Sequence, residues 1–313
     1  MRRTTTRLMA ALALLPLAAH ANAATDEATQ VSFVAPPWPG VTVKTEIMAQ
    51  ILAPLGYTNE RQELSSTVGY KTLQTGDSDV FLAGWLPAQQ DSFDAAMDDG
   101  TIVDLGNNVT GARMGFAVPG YVYDAGVTSA EQLDDPKNRE RFDGRYYSIE
   151  SGSTVSDFIN DAKRNDTYGL GDWELLESST PGMLSAVRSA YDEKRWIAFY
   201  GWTPHWMVPE FDMHILDDPE GIYGENQGRS DVRTIVAKSF SEANPNLMRL
   251  LDQFVLTAEQ QSDFIREYGL EERELETVAR EWLQAHPDEL ADFLEGVTTR
   301  DGEPGLAAVK ASL

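Results

Sequence analysis

The sequence predicts an α/β fold, and three observations support this prediction. Short apolar segments typical of buried strands alternate with segments of helical periodicity, the links between them are short, and glycine, proline and tryptophan cluster directly after the apolar segments. Such alternation favours a sheet covered by helices. Because ligands in open α/β sheets bind beyond the carboxyl ends of strands, these clusters are where a site is expected.

The elements follow in chain order. Residues 31–35 read as a short apolar strand, residues 42–55 have helical periodicity, and Gly56 ends that helix. Further strands are predicted at 80–83, 114–118, 146–149 and 197–200, and a helix is expected to open at Val155. The C-terminal part is mainly helical, over 247–256, 259–268, 271–285 and 288–294. A chain of 313 residues without internal repeats fits two domains and not a solenoid.

Charge and composition exclude several classes of function. The chain has 50 acidic and 25 basic side chains and a net charge of −25, which opposes binding to nucleic acid or to an anionic membrane surface. There is no cysteine, and the four histidines lack the spacing of a zinc site, so no metal and no cofactor is predicted. The acidic residues are scattered along the chain, which fits either simple solubility or adaptation to high salt. The sequence leaves both open.

The first 23 residues read as a signal peptide. Arg2, Arg3 and Arg7 form a basic start, residues 8–19 are apolar but too short to span a bilayer, and residues 21–23 form an A-x-A cleavage signal. Ordinary secretion is preferred to the twin-arginine route. No cysteine follows, so no lipid anchor is expected. We therefore expect a soluble, monomeric mature chain in the periplasm, without membrane insertion.

The most informative side chains are aromatic. Trp38, Trp85 and Trp202 each follow a short apolar strand, with proline and glycine close by that restrict the backbone and hold the indole on a rim. For any one tryptophan, packing in the core is the alternative. Three in the same setting favour a box of indole faces, which holds a quaternary ammonium by cation–π attraction. The tryptophans expected in the core are Trp173, Trp196 and Trp282.

Several segments carry a family resemblance. Residues 84–87, 111–115, 149–153, 201–206 and 216–219 resemble the substrate-binding proteins of glycine betaine and choline ABC importers, the OpuAC type. The C-terminal segments 296–302 and 305–310 are similar to the choline-binding branch. The resemblance covers nearly all of the mature chain.

The resemblance implies a type II periplasmic binding protein with two lobes. Each lobe would be a sheet flanked by helices, with the ligand in the interdomain cleft. Lobe 1 would comprise residues 24–115 and 213–313, and lobe 2 residues 116–212. The implied function is binding without chemistry: the protein is not an enzyme, and it captures glycine betaine or a related betaine, or choline, and delivers it to an ABC permease in the inner membrane.

The resemblance also implies a set of site residues. Trp38 and Trp85 from lobe 1 and Trp202 from lobe 2 would form the cage. The ligand carboxylate would meet the backbone amides of Thr154 and Val155, next to Ser153. These amides begin a predicted helix, and free N–H groups and the dipole at a helix N-terminus favour an anion.

Other candidate residues are less specific. Betaine binders often have a histidine where this chain has Gln89 and Gln90; either amide could donate a hydrogen bond, and Gln90 is taken as the candidate. Choline binders carry an acidic residue and a tyrosine where this chain has Gly40 and Met114, and the missing carboxylate favours a zwitterion over choline. Met114 forms a soft wall of the cage or packs in the core.

Two residues near the expected site have open roles. His205 contacts the ligand carboxylate or orients its turn. Glu150 is expected to be solvated or to face the hinge.

Two alternative functions are open to test. The first is an osmolyte-sensing module for a membrane receptor, which neighbouring genes for an ATPase and a permease would distinguish from transport. The second is an exported hydrolase that uses Ser151 or Ser153 with His205. The hydrolase is disfavoured, because the chain has no GxSxG elbow and no clear acid partner.

Overall fold

The computed structural model describes residues 29–313. The predicted signal peptide at residues 1–23 therefore lies outside the described residues. One mixed sheet of nine strands organises the fold, in the order β2-β1-β3-β9-β4-β7-β5-β6, with β8 paired to β4. The strands are β1 (Gln30–Val34), β2 (Thr58–Gln62), β3 (Val80–Leu86), β4 (Ile102–Pro119), β5 (Arg145–Ser148), β6 (Glu174–Glu177), β7 (Ala198–Thr203), β8 (Met213–Ile215) and β9 (Arg229–Ala237).

Helices cover the sheet and fill the connections between its strands. The helices of the first two thirds of the chain are α1 (Pro39–Leu52), α2 (Ser66–Thr75), α3 (Gln90–Asp98), α4 (Gly120–Tyr123), α5 (Pro136–Arg141), α6 (Thr154–Arg164), α7 (Thr180–Asp192) and α8 (Met207–Phe211). The later helices are α9 (Glu225–Gly228), α10 (Lys238–Ala243), α11 (Pro245–Gln253), α12 (Ala258–Gly269), α13 (Leu275–Ala285), α14 (Pro287–Phe293) and α15 (Gly305–Ser312). Short 3₁₀ helices span Ala130–Asp134 and Thr167–Asp172.

Strand β4 is shared by the two halves of the sheet. Its residues 102–113 pair antiparallel with β9, and its residues 113–117 pair antiparallel with β7. The first half consists of β2, β1, β3 and β9 with the first part of β4. The second half consists of the end of β4 with β7, β5, β6 and β8. Strands β1, β2 and β3 pair in parallel, as do β5, β6 and β7.

The α/β fold that the sequence predicts is confirmed, but five strands differ from the prediction: β4 is longer, and β2, β6, β8 and β9 were not predicted. The predicted strand 114–118 is only the end of the 18-residue β4. Strand β9 was not predicted, because Arg229, Asp231 and Arg233 interrupt its apolar pattern. Edge strand β2 was missed because its sequence, TNERQ, contains no apolar residue. The predicted domain limit at 115/116 falls inside β4, so the domain limits stay a prediction.

A glycine is required where β9 begins against β4. Gly228 has φ +71°, in the left-handed region, and a Cβ at this position would lie 1.8 Å from the carbonyl oxygen of Met114. No other residue type fits such a close backbone approach without a shift. Gly228 therefore fixes how the segment before β9 packs against the shared strand. Over residues 29–313, no helix combines the length and apolarity that a membrane crossing needs.

Candidate ligand-binding site

A pocket of about 580 Å³, including its open mouth, lies between the two halves of the sheet. Seven of the predicted site residues line it: Trp38, Trp85, Met114, Ser153, Thr154, Val155 and Trp202. The remaining lining residues are Gly40, Val41, Lys44, Ala83, Ala88, Gln89, Ile149, Tyr200, Gln261 and Ile265. The structure therefore brings the three tryptophans of the predicted cage together on one pocket.

Trp38 is held by a hydrogen bond across the pocket. It is the N-cap residue of α1, and Pro39 occupies the first helical position, where its missing N–H costs nothing. The indole Nε1 donates to Oε1 of Glu150 at 2.6 Å, although the two residues are 112 positions apart in the sequence. Glu150 follows β5 in the second half, so this bond joins the two halves. Of the two expectations for Glu150, the structure does not fit a solvated carboxylate, since this carboxylate contacts an indole of the pocket, and the hinge-facing alternative stays a prediction.

Only one of the two oxygens of the Glu150 carboxylate has a hydrogen-bond partner among the described residues. Its second oxygen, Oε2, is buried and has no hydrogen-bond partner among the described residues. Burial raises the pKa of Glu150, and the hydrogen bonds from its own backbone N–H and from Trp38 oppose that rise. Burial also raises the pKa of the Tyr200 phenol, and the charges of Tyr223 and Glu150 add to that rise. The carboxylate thus lies behind two aromatic side chains of the pocket.

Trp85 lies near the end of β3 and is only half-buried. The strand runs through this residue to Leu86 instead of ending before it, and Trp85 pairs with Val232 of β9. Within residues 29–313 its indole N–H has no hydrogen-bond acceptor. The ring is therefore positioned by the strand backbone and by packing.

Trp202 belongs to an aromatic wall in the second half. It lies on β7 opposite Met114 of β4, and its ring stacks on that of Tyr200 with centroids 5.3 Å apart. The Tyr200 hydroxyl donates to Sδ of Met114 at 3.5 Å. Tyr200 was missed by the sequence analysis. Residues two apart on a strand share a face, so its position relative to Trp202 was the available signal.

The N-terminus of α6 presents free N–H groups at the pocket. The Ser153 hydroxyl caps this helix by accepting from the N–H of Ser156 at 3.2 Å. The N–H groups of Thr154 and Val155 have no acceptor among the described residues, and both residues line the pocket. The free N–H groups and the helix dipole together favour a carboxylate here.

His205 does not line the pocket. It is buried behind Trp202, with the ring centroids 4.8 Å apart in an edge-on arrangement, and its Nδ1 accepts from the backbone N–H of Met207 at 3.2 Å. Burial lowers the pKa of His205 to about 3, so the ring is neutral near pH 7. Of the two roles left open by the sequence, the geometry favours support of the turn behind the cage.

The glutamine that faces the pocket is Gln89 and not the predicted Gln90. The Gln90 amide donates to Asp94 at 2.7 Å and lies in a separate groove. Gln89 is buried, its Nε2 lies 3.4 Å from the carbonyl oxygen of Ala83, and its Oε1 has no partner among the described residues. The two side chains differ by about 100° around the start of α3, which explains the correction.

Lys44 is a pocket residue that the sequence analysis did not identify. It lies on α1, one turn after Gly40 and Val41, and is fully buried. Its ammonium donates to the carbonyl oxygen of Leu82 at 2.6 Å and to Oδ1 of Asn108 at 2.8 Å. Burial lowers its pKa to about 7. A single lysine in a helical pattern is usually solvated, so only the structure reveals this position.

Comparison with known proteins decides the family. Residues 29–285 match the family model OpuAC, the substrate-binding domain of the ABC-type glycine betaine transport system. The chain belongs to the OpuAC family. This is a family of solute-binding proteins of ABC transporters and not of enzymes. The resemblance stated from the sequence is thereby confirmed.

Curated relatives of this OpuAC-family chain include two transport proteins. The glycine betaine/carnitine transport binding protein GbuC of Listeria monocytogenes serotype 1/2a (strain 10403S) is 38% identical over 138 residues, which is 44% of this chain and 45% of the relative. The chain thus matches less than half of that protein's length. The glycine betaine-binding periplasmic protein OusX of Dickeya dadantii (strain 3937) is 24% identical over 81% of this chain and 85% of the relative.

Two solved structures are similar over most of the chain. An ABC-transporter choline binding protein in complex with choline has a TM-score of 0.86 and 30% identity, and the match covers 91% of this chain and 98% of that one. Lactococcal OpuAC in its closed-liganded conformation with glycine betaine has a TM-score of 0.74 and 26% identity, over 85% and 99% of the two chains. The type II periplasmic binding protein fold with two lobes is therefore confirmed for this OpuAC-family chain.

Proposed function

We propose that this protein captures a quaternary ammonium osmolyte, glycine betaine or a related betaine, and delivers it to an ABC permease. One observation carries the proposal: Trp38, Trp85 and Trp202, from both halves of the sheet, line one pocket. A methylated onium group cannot donate hydrogen bonds, so indole faces are its natural partners. At about 2 kcal/mol per desolvated face, three faces would supply ~6 of the ~8 kcal/mol that micromolar affinity requires.

The carboxylate end of the ligand would bind at the N-terminus of α6. The free N–H groups of Thr154 and Val155 suit a carboxylate, which a betaine carries and choline lacks. No carboxylate side chain of the described residues lines the pocket itself. These two features favour a zwitterion. The relative GbuC is named for glycine betaine and carnitine, and the similar lactococcal OpuAC is complexed with glycine betaine.

Binding would close the two lobes over the ligand. We place lobe 1 at residues 24–115 and 213–313 and lobe 2 at residues 116–212, joined by β4. The hydrogen bond between Trp38 and Glu150 spans the lobes, so it would form on closure. A ligand that touches tryptophans of both lobes prefers the closed state and shifts the population toward it. The monomeric closed form would then dock on the permease from the periplasm, after removal of the signal peptide.

Calorimetric titration of the purified protein tests the proposal. We expect glycine betaine to bind with micromolar affinity, with choline, carnitine and dimethylsulfoniopropionate as the comparison ligands. Trp85→Ala and Trp202→Ala should each weaken binding at least tenfold, because each removes a cation–π face. Trp196→Ala is the control, because this indole lies outside the pocket under the guanidinium of Arg141. Unchanged affinity in both cage variants, or no binding of any onium compound, would refute the proposal.

A further inference from the structure

The pocket contains a buried positive charge that the tryptophan cage does not use. Lys44 lines the pocket, and its ammonium is bonded only to neutral oxygens, of Leu82 and Asn108. It forms no ion pair with any carboxylate that the structure describes. The side chain is 1% exposed, so water does not solvate the charge either.

A buried ammonium at this position destabilises the folded protein unless an anionic group lies next to it. Burying a lysine without a charged partner destabilises the protonated form, and burial indeed lowers the pKa of Lys44 to about 7. At lower pH the amine is charged and still lacks a counter-ion. The hydrogen bonds to Leu82 and Asn108 tie α1 to β3 and β4, but a neutral donor would serve that purpose at lower cost. The hydrogen bonds therefore do not explain why this position carries a positive charge, and we look for its function in ligand binding.

A bound ligand would bring a second positive charge into the same pocket. By the proposed function the cage holds an onium group, which the Lys44 ammonium repels. Because the Lys44 amine can release its proton at a cost set by its pKa of about 7, this repulsion changes a binding constant at pH 6 by roughly tenfold at most. A ligand that brings its own carboxylate cancels this repulsion, whereas a simple onium cation does not.

We propose that Lys44 makes the pocket select onium compounds that carry a carboxylate over simple onium cations. This inference rests on the proposed function and adds a specificity determinant to it. It attributes the preference for betaines over simple onium cations to the Lys44 charge on α1 as well as to the carboxylate site at the start of α6.

The test compares the affinities for glycine betaine and choline by calorimetry at pH 6, where the Lys44 amine is protonated. Lys44→Met removes the charge and keeps a side chain of similar length. We expect the ratio of betaine affinity to choline affinity to fall by about tenfold, chiefly because choline binds more tightly. Lys71→Met is the control, since Lys71 is exposed on α2 and bonded to Gln74. Its ratio should equal that of the wild type.

A second variant separates charge from packing. Asn108→Asp places a carboxylate next to the Lys44 ammonium, at the present 2.8 Å hydrogen bond, and compensates the charge while the lysine stays in place. The ratio should fall in the same direction as in Lys44→Met. A ratio that is unchanged in Asn108→Asp, or in a folded Lys44→Met protein, overturns the inference and leaves the proposed function intact. Wild-type protein that binds neither compound overturns the proposed function, and the inference with it.

Discussion

Replacement of Trp38 by phenylalanine probes the contact between the lobes. The variant keeps an aromatic face toward the ligand but loses the N–H that donates to Glu150 at 2.6 Å. A hydrogen bond to a charged group contributes about 1.5–3 kcal/mol, and its loss removes a side-chain donor from a half-buried carboxylate whose Oε2 already lacks a partner. Because this bond spans the lobes, its loss should weaken the closed, ligand-bound form. We expect a loss of about 2 kcal/mol in binding, or ~30-fold in Kd.

The control for this experiment is Trp85→Phe. The Trp85 indole N–H has no acceptor among the described residues, so this variant changes only the aromatic face and should cost a few-fold in affinity. In a Glu150→Ala background the extra loss in Trp38→Phe should disappear, because the acceptor is already gone. Calorimetric titration with glycine betaine measures the wild type, the three single variants and the double variant. Equal losses in Trp38→Phe and Trp85→Phe, or a loss at Trp38 that persists without Glu150, would show that the hydrogen bond does not couple closure to binding.

Three further predictions concern stability and the carboxylate site. The His205 pKa is about 3 in the folded chain and 6.5 when unfolded, so the unfolded state alone gains this proton as the pH falls. Stability should therefore decrease below pH 6.5, by about 3 kcal/mol at pH 4 from this residue. Urea unfolding at pH 7 and pH 4 should show a smaller pH effect in His205→Gln, and an equal effect would contradict the assigned burial. Gly228→Ala should lower the free energy of unfolding by roughly 3 kcal/mol or more, because its Cβ would overlap the Met114 carbonyl. Gly100→Ala, with a similar positive φ and open space around it, should cost only about 1 kcal/mol when both variants are measured by urea unfolding; equal losses would exclude the backbone contact as the cause. Ser153→Ala removes the cap of α6 and should cost about 1 kcal/mol of stability. It should also weaken glycine betaine binding more than choline binding in a titration, and an equal effect on both would argue against a carboxylate at this helix.

Local pattern was sufficient to predict four strands near the pocket. Short buried apolar segments are signals of a few residues, and β1, β3, β5 and β7 overlap the segments predicted from them, although β3 and β7 run on to include Trp85 and Trp202. Strand β9 was not predictable in this way. Its charged residues find partners in the neighbouring strand β4, as Arg233 does with Asp104 at 2.9 Å, and no local pattern reports these partners.

The missed residues of the site have a common physical reason. Glu150 was misjudged because its partner, Trp38, is 112 positions away, and no local pattern reports such a contact. Lys44 was overlooked because its burial depends on the packing of α1 against β3 and β4. The exchange of Gln90 for Gln89 is an error of one residue at a helix start, where sequence-based boundaries are least certain. Whether a segment forms a helix or a strand can be predicted from its local sequence, whereas the partners of polar side chains depend on the tertiary fold.

The shared strand gives the molecule a particular mechanical character. Between Asp104 and Ala112 the ladder of β4 and β9 shifts register three times, whereas residues 113–117 pair with β7 in unbroken register. The irregular, more strongly twisted pairing thus lies on the β9 side of β4, and the regular pairing lies on the β7 side. Reorientation of one half would be absorbed by twisting of the bulged segment, so Met114 and Trp202 would travel together as one rigid body toward the ligand.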